Sequence, residues 1–130
     1  MSLFVDASAL TAIIGDEPER QALETALDAD QARLISGLAM WETARAVSRG
    51  RSIESGLFEV ERYCAILGIS VVPIGPREAA AAVQAHARYR KGTGHPARLN
   101  MGDCFAYACA RTNNARLLYK GDDFVHTDLR

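Results

Sequence analysis

Leu3-Phe4-Val5 is a short apolar run that stops at Asp6, and Ala7 to Ile14 then reads as a helix ended by Gly15-Asp16-Glu17-Pro18. A second helix fits Glu19 to Ala29, where Leu23 and Leu27 share one face and Glu and Arg occupy the others. Arg33 to Ser36 predicts a strand, followed by Gly37 and a helix from Leu38 to Arg49 that Gly50 stops. The next helix, Ile53 to Leu67, closes at Gly68. Ile69 to Ile74 is β-branched and contains Pro73, which predicts a strand ending there or running along a sheet edge. Pro76 opens an Ala-rich helix to Tyr89, since Pro suits a first turn and Ala has the highest helix propensity. Arg90 to Asn100 reads as the longest loop, Met101 to Thr112 as a helix, Arg116 to Tyr119 as a strand and Gly121-Asp122-Asp123 as a turn.

Short apolar strands separated by helices, without hairpin signals, predict an α/β fold: a central parallel sheet covered by helices on both faces, in three α/β/α layers. In such sheets the ligand crevice lies beyond the carboxyl ends of the strands, where the strand order reverses. The residues that follow each strand are therefore the candidates for chemistry.

The chain has 130 residues, the size of one domain, so a single unit over residues 1–130 is expected. With 48% apolar and 24% charged residues it has the balance of a chain that builds a core without staples. Fifteen Lys and Arg against sixteen Asp and Glu leave a formal charge of −1, so a polyanion has to be met by a local basic patch. No run approaches the ~20 apolar residues of a membrane span, and the N-terminus lacks the basic and apolar regions of a signal peptide. A cytoplasmic protein with no membrane partner is expected. Cys64, Cys104 and Cys109 are odd in number and show no C-x-x-C pairing, which suggests reduced, buried thiols in place of a disulfide framework or a zinc site.

Acidic residues fall where the crevice is expected. Asp6 follows the first strand, Glu42 lies about one turn into the helix after the second, Asp103 opens the Met101 helix, and Asp122 and Asp123 follow the last strand. Each alone has an ordinary explanation as a helix cap, a solvated helix residue or a turn residue. Together they imply more, because two carboxylates about 4 Å apart repel by roughly 4 kcal/mol at an effective dielectric of 20. A hard divalent cation relieves that repulsion; carboxylate oxygens suit Mg²⁺ or Mn²⁺, and such a centre activates water for attack on a phosphodiester.

The phrases Val5-Asp6-Ala7-Ser8-Ala9-Leu10, Glu42-Thr43-Ala44, Leu99-Asn100-Met101-Gly102-Asp103-Cys104-Phe105-Ala106-Tyr107-Ala108 and Leu117-Leu118-Tyr119-Lys120-Gly121-Asp122-Asp123-Phe124 resemble the PIN-domain ribonucleases. More closely, they resemble the VapC toxins of bacterial type II toxin–antitoxin systems, in the right order over nearly the whole chain. The resemblance implies a PIN-like domain, Mg²⁺-dependent (or Mn²⁺-dependent) endoribonuclease activity on RNA, a cognate VapB-type antitoxin and a homodimer. It carries the metal-ligand roles onto Asp6 and Asp103 and the third acidic position onto Glu42. For the fourth, Asp122 and Asp123 both qualify; Asp122 is preferred because it lies closer to the strand end. Ser8 and Asn100 match polar positions beside the site, and each equally fits a local turn or cap bond.

External water as the nucleophile predicts 5′-phosphate and 3′-hydroxyl ends. Arg88, Arg90, Lys91, His95 and Arg98 form the basic-rich stretch that precedes Asp103 and are the expected RNA rim, with Tyr89 available for stacking or for the core. Arg45, Arg49 and Arg51 read as a solvated helix face, and His86, His95 and His126 show no ligand spacing. Partner contacts are expected from apolar residues on the Glu19–Ala29 or Ile53–Leu67 helices. The competing class is a Mg²⁺-binding α/β module for signalling or protein interaction without catalysis. A phosphoryl-signalling receiver wants an Asp after the third strand, where this chain has Pro73-Ile74-Gly75.

Overall fold

A computed structural model describes residues 1–129. Its elements in chain order are β1 (Ser2–Val5), α1 (Ala7–Ile14), α2 (Arg20–Asp28), β2 (Ala32–Ser36), α3 (Gly37–Val47), α4 (Ile53–Leu67), β3 (Ile69–Val72), α5 (Pro76–Tyr89), α6 (Met101–Thr112) and β4 (Arg116–Leu118). All strand pairs are parallel, in the order β3-β2-β1-β4. The sheet thus runs one way from β1 to β3 and the other way to β4, and the order reverses between β1 and β4. The predicted α/β/α arrangement with a central parallel sheet is what the chain adopts.

Side-chain alternation on β1 divides the core. Leu3 and Val5 point to one face, where they pack with Leu10 and Ile13 of α1, Leu23 and Leu27 of α2 and Val60 of α4. Phe4 points to the other, among Ala82, Ala85 and Tyr89 of α5 and Cys104, Ala108 and Cys109 of α6. β4 repeats the division, with Leu118 in the first cluster and Leu117 in the second. The three cysteines are unpaired and buried.

Local chemistry sets the helix ends. Ser52 caps α4 by accepting from Ser55 N–H, and Gly68 ends it at φ 64°, a left-handed conformation that favours glycine. At α5, Pro76 occupies the first turn while Glu78 Oε1 accepts from Gly75 N–H at 2.9 Å. β1, α2, β2 and β4 differ from expectation by one residue at one or both ends, and β3 and α3 stop two residues early. β3 ends at Val72, because Pro73 has no N–H to continue the ladder, and β3 lies at the sheet edge. α3 ends at Val47, where Arg51 N–H turns back onto Ser48 O at 2.8 Å. Among the described residues, no helix is long and apolar enough to cross a membrane.

Candidate active site

The carboxyl ends of β1 and β4 meet where Asp6 N–H donates to Leu118 O at 2.9 Å. Asp6 is the N-cap of α1, and its Oδ2 accepts from both the backbone N–H (3.0 Å) and the hydroxyl (2.5 Å) of Ser8. Ser8 Oγ in turn accepts from Lys120 N–H at 3.0 Å, so one serine ties the Asp6 carboxylate to the segment after β4.

At the start of α6, Asn100 is the N-cap. Its Oδ1 accepts from Asp103 N–H at 2.9 Å while Asp103 Oδ2 accepts from Asn100 N–H at 3.1 Å. The reciprocal pair fixes the Asp103 backbone and occupies Oδ2. Asp103 is therefore one turn inside the helix, and the capping role belongs to Asn100.

Glu42 reaches the same place from α3. Gly102 makes room for it, since a Cβ built there would lie 2.7 Å from the Glu42 carboxyl carbon. Only the missing side chain of Gly102 admits that carboxylate against the first turn of α6. The sequence carries one signal for this role, a glycine in the first turn of a helix, and it does not name the side chain that fills the space.

Asp6, Glu42 and Asp103 are each raised above the ordinary carboxylate range, and each is raised in part by another acidic residue. Burial raises the Asp6 carboxyl above its ordinary range, the Ser8 bonds oppose the rise, and the charge of Asp123 adds to it. Burial likewise pushes Asp103 up to about 7, helped by Asp123, Asp6 and Glu42 and opposed by the Asn100 N–H. Glu42 is raised by burial and by Asp6, with Arg45 pulling the other way. Of the two adjacent aspartates after β4, both exposed, it is the charge of Asp123 that raises Asp6 and Asp103; the Asp122 carbonyl accepts from Val125 N–H at 3.3 Å.

The donor set fits a hard divalent cation. It is all-oxygen and anionic, its burial disfavours the charged forms, and the hydrogen bonds to Asp6 and Asp103 fall on one oxygen of each carboxylate. As the side chains stand, no three His, Cys, Asp or Glu among the described residues are grouped tightly enough to share one ion.

The expected basic rim divides. Arg90 and Lys91 line an apolar cavity of about 480 Å³ between α5 and α6 that also includes Asn100 and Met101, so they border the acidic site. Arg98 is exposed two residues before Asn100. Arg88 lies elsewhere, over the Tyr89 ring at 4.9 Å and beside Tyr107 and Arg111. Tyr89 belongs to the core, 2% exposed. His95 uses Nδ1 to accept from Ala97 N–H at 3.0 Å, a loop-stabilising bond.

The PIN domain family profile matches residues 3–129. A VapC ribonuclease of Rhizobium meliloti (strain 1021) is 40% identical over 139 aligned residues, covering 97% of this chain and 98% of that protein. Ribonuclease VapC30 of Mycobacterium tuberculosis is 39% identical over 127 residues, covering 98% and 95%. Among solved structures, the Mycobacterium tuberculosis toxin VapC20, described as cleaving the sarcin-ricin loop, superposes with a TM-score of 0.74 at 14% identity, covering 98% of this chain and 96% of that one. With the profile spanning the chain and the relatives matching it end to end, the protein belongs to the PIN-domain family and, within it, to the VapC ribonucleases.

Proposed function

We propose that this protein is a divalent-cation-dependent endoribonuclease that hydrolyses RNA phosphodiester bonds as the toxin of a toxin–antitoxin pair. The observation that carries the reading is the gathering of Asp6, Glu42, Asp103 and Asp123 into one field at the reversal point between β1 and β4. Asp6 and Asp103 would hold Mg²⁺ or Mn²⁺. Such an ion supplies Lewis-acid polarisation of a phosphate oxygen and makes water a stronger nucleophile at neutral pH.

The chain's own residues do the rest. Ser8 and Asn100 hold Asp6 and Asp103 in fixed orientation through the bonds above. Glu42, pushed above the ordinary carboxylate range, would accept a proton from the attacking water, and Asp123 would add negative charge that strengthens the hold on the ion. Arg90 and Lys91 at the cavity edge, together with the exposed Arg98, supply positive charge for the RNA backbone, replacing the overall charge the chain lacks.

For the antitoxin, α4 is the better seat. It exposes Ile53, Leu57, Phe58 and Ile66, whereas Leu23 and Leu27 of α2 are buried. Ile53 and Leu57 join Met40, Trp41 and Ala44 of α3 around an apolar cavity of about 460 Å³, one residue along the helix from Glu42. An antitoxin segment seated there that also extends a cationic side chain to the carboxylates would neutralise them in place of the metal.

Cleavage of labelled RNA, with sequencing of its ends, tests the assignment. Wild-type protein is expected to need Mg²⁺ or Mn²⁺, to stop in EDTA and to leave 5′-phosphate ends, while Asp6→Asn and Asp103→Asn each lose about a hundredfold or more. Cleavage that persists in EDTA, or 2′,3′-cyclic phosphate ends, would refute it.

A further inference from the structure

The segment after β4 has no regular structure, yet it carries Asp123, five residues beyond Leu118 at the end of that strand. Three anchors hold it, the first being the Lys120 N–H bond to Ser8 Oγ. Phe124 is 1% exposed and packs against the Tyr119 ring at 5.0 Å. At the other end, Asp128 Oδ1 accepts from the Tyr107 hydroxyl at 2.5 Å and from the Tyr89 hydroxyl at 3.3 Å, while Arg111 approaches Oδ2 at 3.5 Å. Between the anchors the loop is bonded to itself, with Thr127 Oγ1 donating to Phe124 O at 2.8 Å and Val125 N–H to Asp122 O at 3.3 Å.

Tyr89 and Tyr107 are both buried, and a buried hydroxyl without an acceptor is costly. Asp128 is the acceptor for both. Burial pushes its carboxyl up, but the Tyr107 hydroxyl and the Arg111 charge outweigh that and hold it below its ordinary range. The latch is therefore an ionised carboxylate, with charge-assisted bonds stronger than neutral ones. Lys120 and Phe124 bracket Asp123, and Phe124 is held from its far side by the turn in which Thr127 bonds Phe124 O and Asp128 is pinned to α5 and α6.

We propose that Asp128 is a positioning residue: its bonds to Tyr107 and Tyr89 close the C-terminal loop onto α5 and α6 and so hold in place the stretch carrying Asp123, which Lys120 N–H ties to Ser8 and through it to Asp6. The proposal rests on the cation-site reading above and extends it to a residue that touches neither substrate nor metal.

Metal-free Asp128→Ala, Asp128→Asn and Tyr107→Phe proteins would be titrated with Mn²⁺ and followed by amide hydrogen exchange over residues 120–129, alongside the Mg²⁺ dependence of RNA cleavage. Asp128→Ala is expected to weaken Mn²⁺ binding and raise the half-saturating Mg²⁺ by about tenfold, with kcat at saturating Mg²⁺ within about twofold of wild type. The loop should exchange faster in this variant. Asp128→Asn keeps an oxygen acceptor for the phenols but loses the charge, and should fall between wild type and Asp128→Ala in both Mn²⁺ affinity and loop exchange. Tyr107→Phe carries the same test should Asp128→Ala fail to fold, with a smaller weakening because Tyr89 remains bonded. Unchanged Mn²⁺ affinity in Asp128→Ala and Tyr107→Phe, or a lower kcat at unchanged affinity, overturns the positioning role. Wild-type protein that neither binds Mn²⁺ nor cleaves RNA would bring down the nuclease reading and this proposal together; wild-type protein that does both leaves only the latch in question.

Discussion

Gly102 separates stability from activity at a single position. An Ala there gains roughly 1 kcal/mol of helix propensity, and the group it strikes is the flexible end of Glu42, which can swing away. Gly102→Ala is therefore expected to melt no lower than wild type while RNA cleavage falls by about tenfold or more. Thermal denaturation run beside a cleavage assay checks both halves, and a parallel loss of the two would mean that Gly102 serves packing alone. Asp103 offers a second test, because burial pushes its carboxyl up to about 7, well above the ordinary aspartate range. A raised acid binds more protons in the native state than in the unfolded one, so its contribution to stability falls as pH rises through that window. Asp103→Asn should thus melt close to wild type at pH 5 in EDTA, and higher than wild type by roughly 5 °C at pH 8.

At the scale of elements, the α3–α4 pair depends on a glycine that reads as a mere weakness in a helix. A Cβ built at Gly56 would lie 2.9 Å from Ser48 Cβ and would overlap the Ala44 carbonyl of α3. Backbone cannot swing aside as a side chain can. Gly56→Val is expected to destabilise the fold by about 1–3 kcal/mol through overpacking, measured by urea denaturation, and to displace the helix that carries Glu42. The start of α6 couples structure to chemistry in another way. Asn100→Ala removes the cap and should cost about 1 kcal/mol, and it also strips Asp103 N–H of its partner and loosens the carboxylate.

Across the whole molecule, the carboxylates come from four separate stretches of chain, and the field they share opposes their ionisation. A cation that binds only the folded form stabilises it by mass action, and more so where the carboxylates are ionised. Addition of Mg²⁺ or Mn²⁺ to metal-free protein is expected to raise the melting temperature at pH 8 and to change it little at pH 5. A cation effect of equal size at both pH values would argue that the ion binds elsewhere.

Much of this architecture was legible in one dimension. The bounds of α1, α4, α5 and α6 follow from periodicity, Pro76 and Gly68, because local chemistry starts and stops a helix whatever surrounds it. The placement of Asp6, Glu42 and Asp103 after successive strands and at a helix start was also readable, since parallel strands put their carboxyl ends on one side. What the linear order leaves open is which side chains meet. The role of Gly102 depends on a neighbour 60 residues away, Gly56 on the approach of α3, and Tyr89 on a core contact in place of a stacking surface. The fourth charge follows the same rule: Asp122 and Asp123 are adjacent in sequence, and the field at Asp6 and Asp103 singles out Asp123. Local propensity is a property of neighbours along the chain, whereas distance and burial between remote side chains exist only after the sheet and its helices have packed.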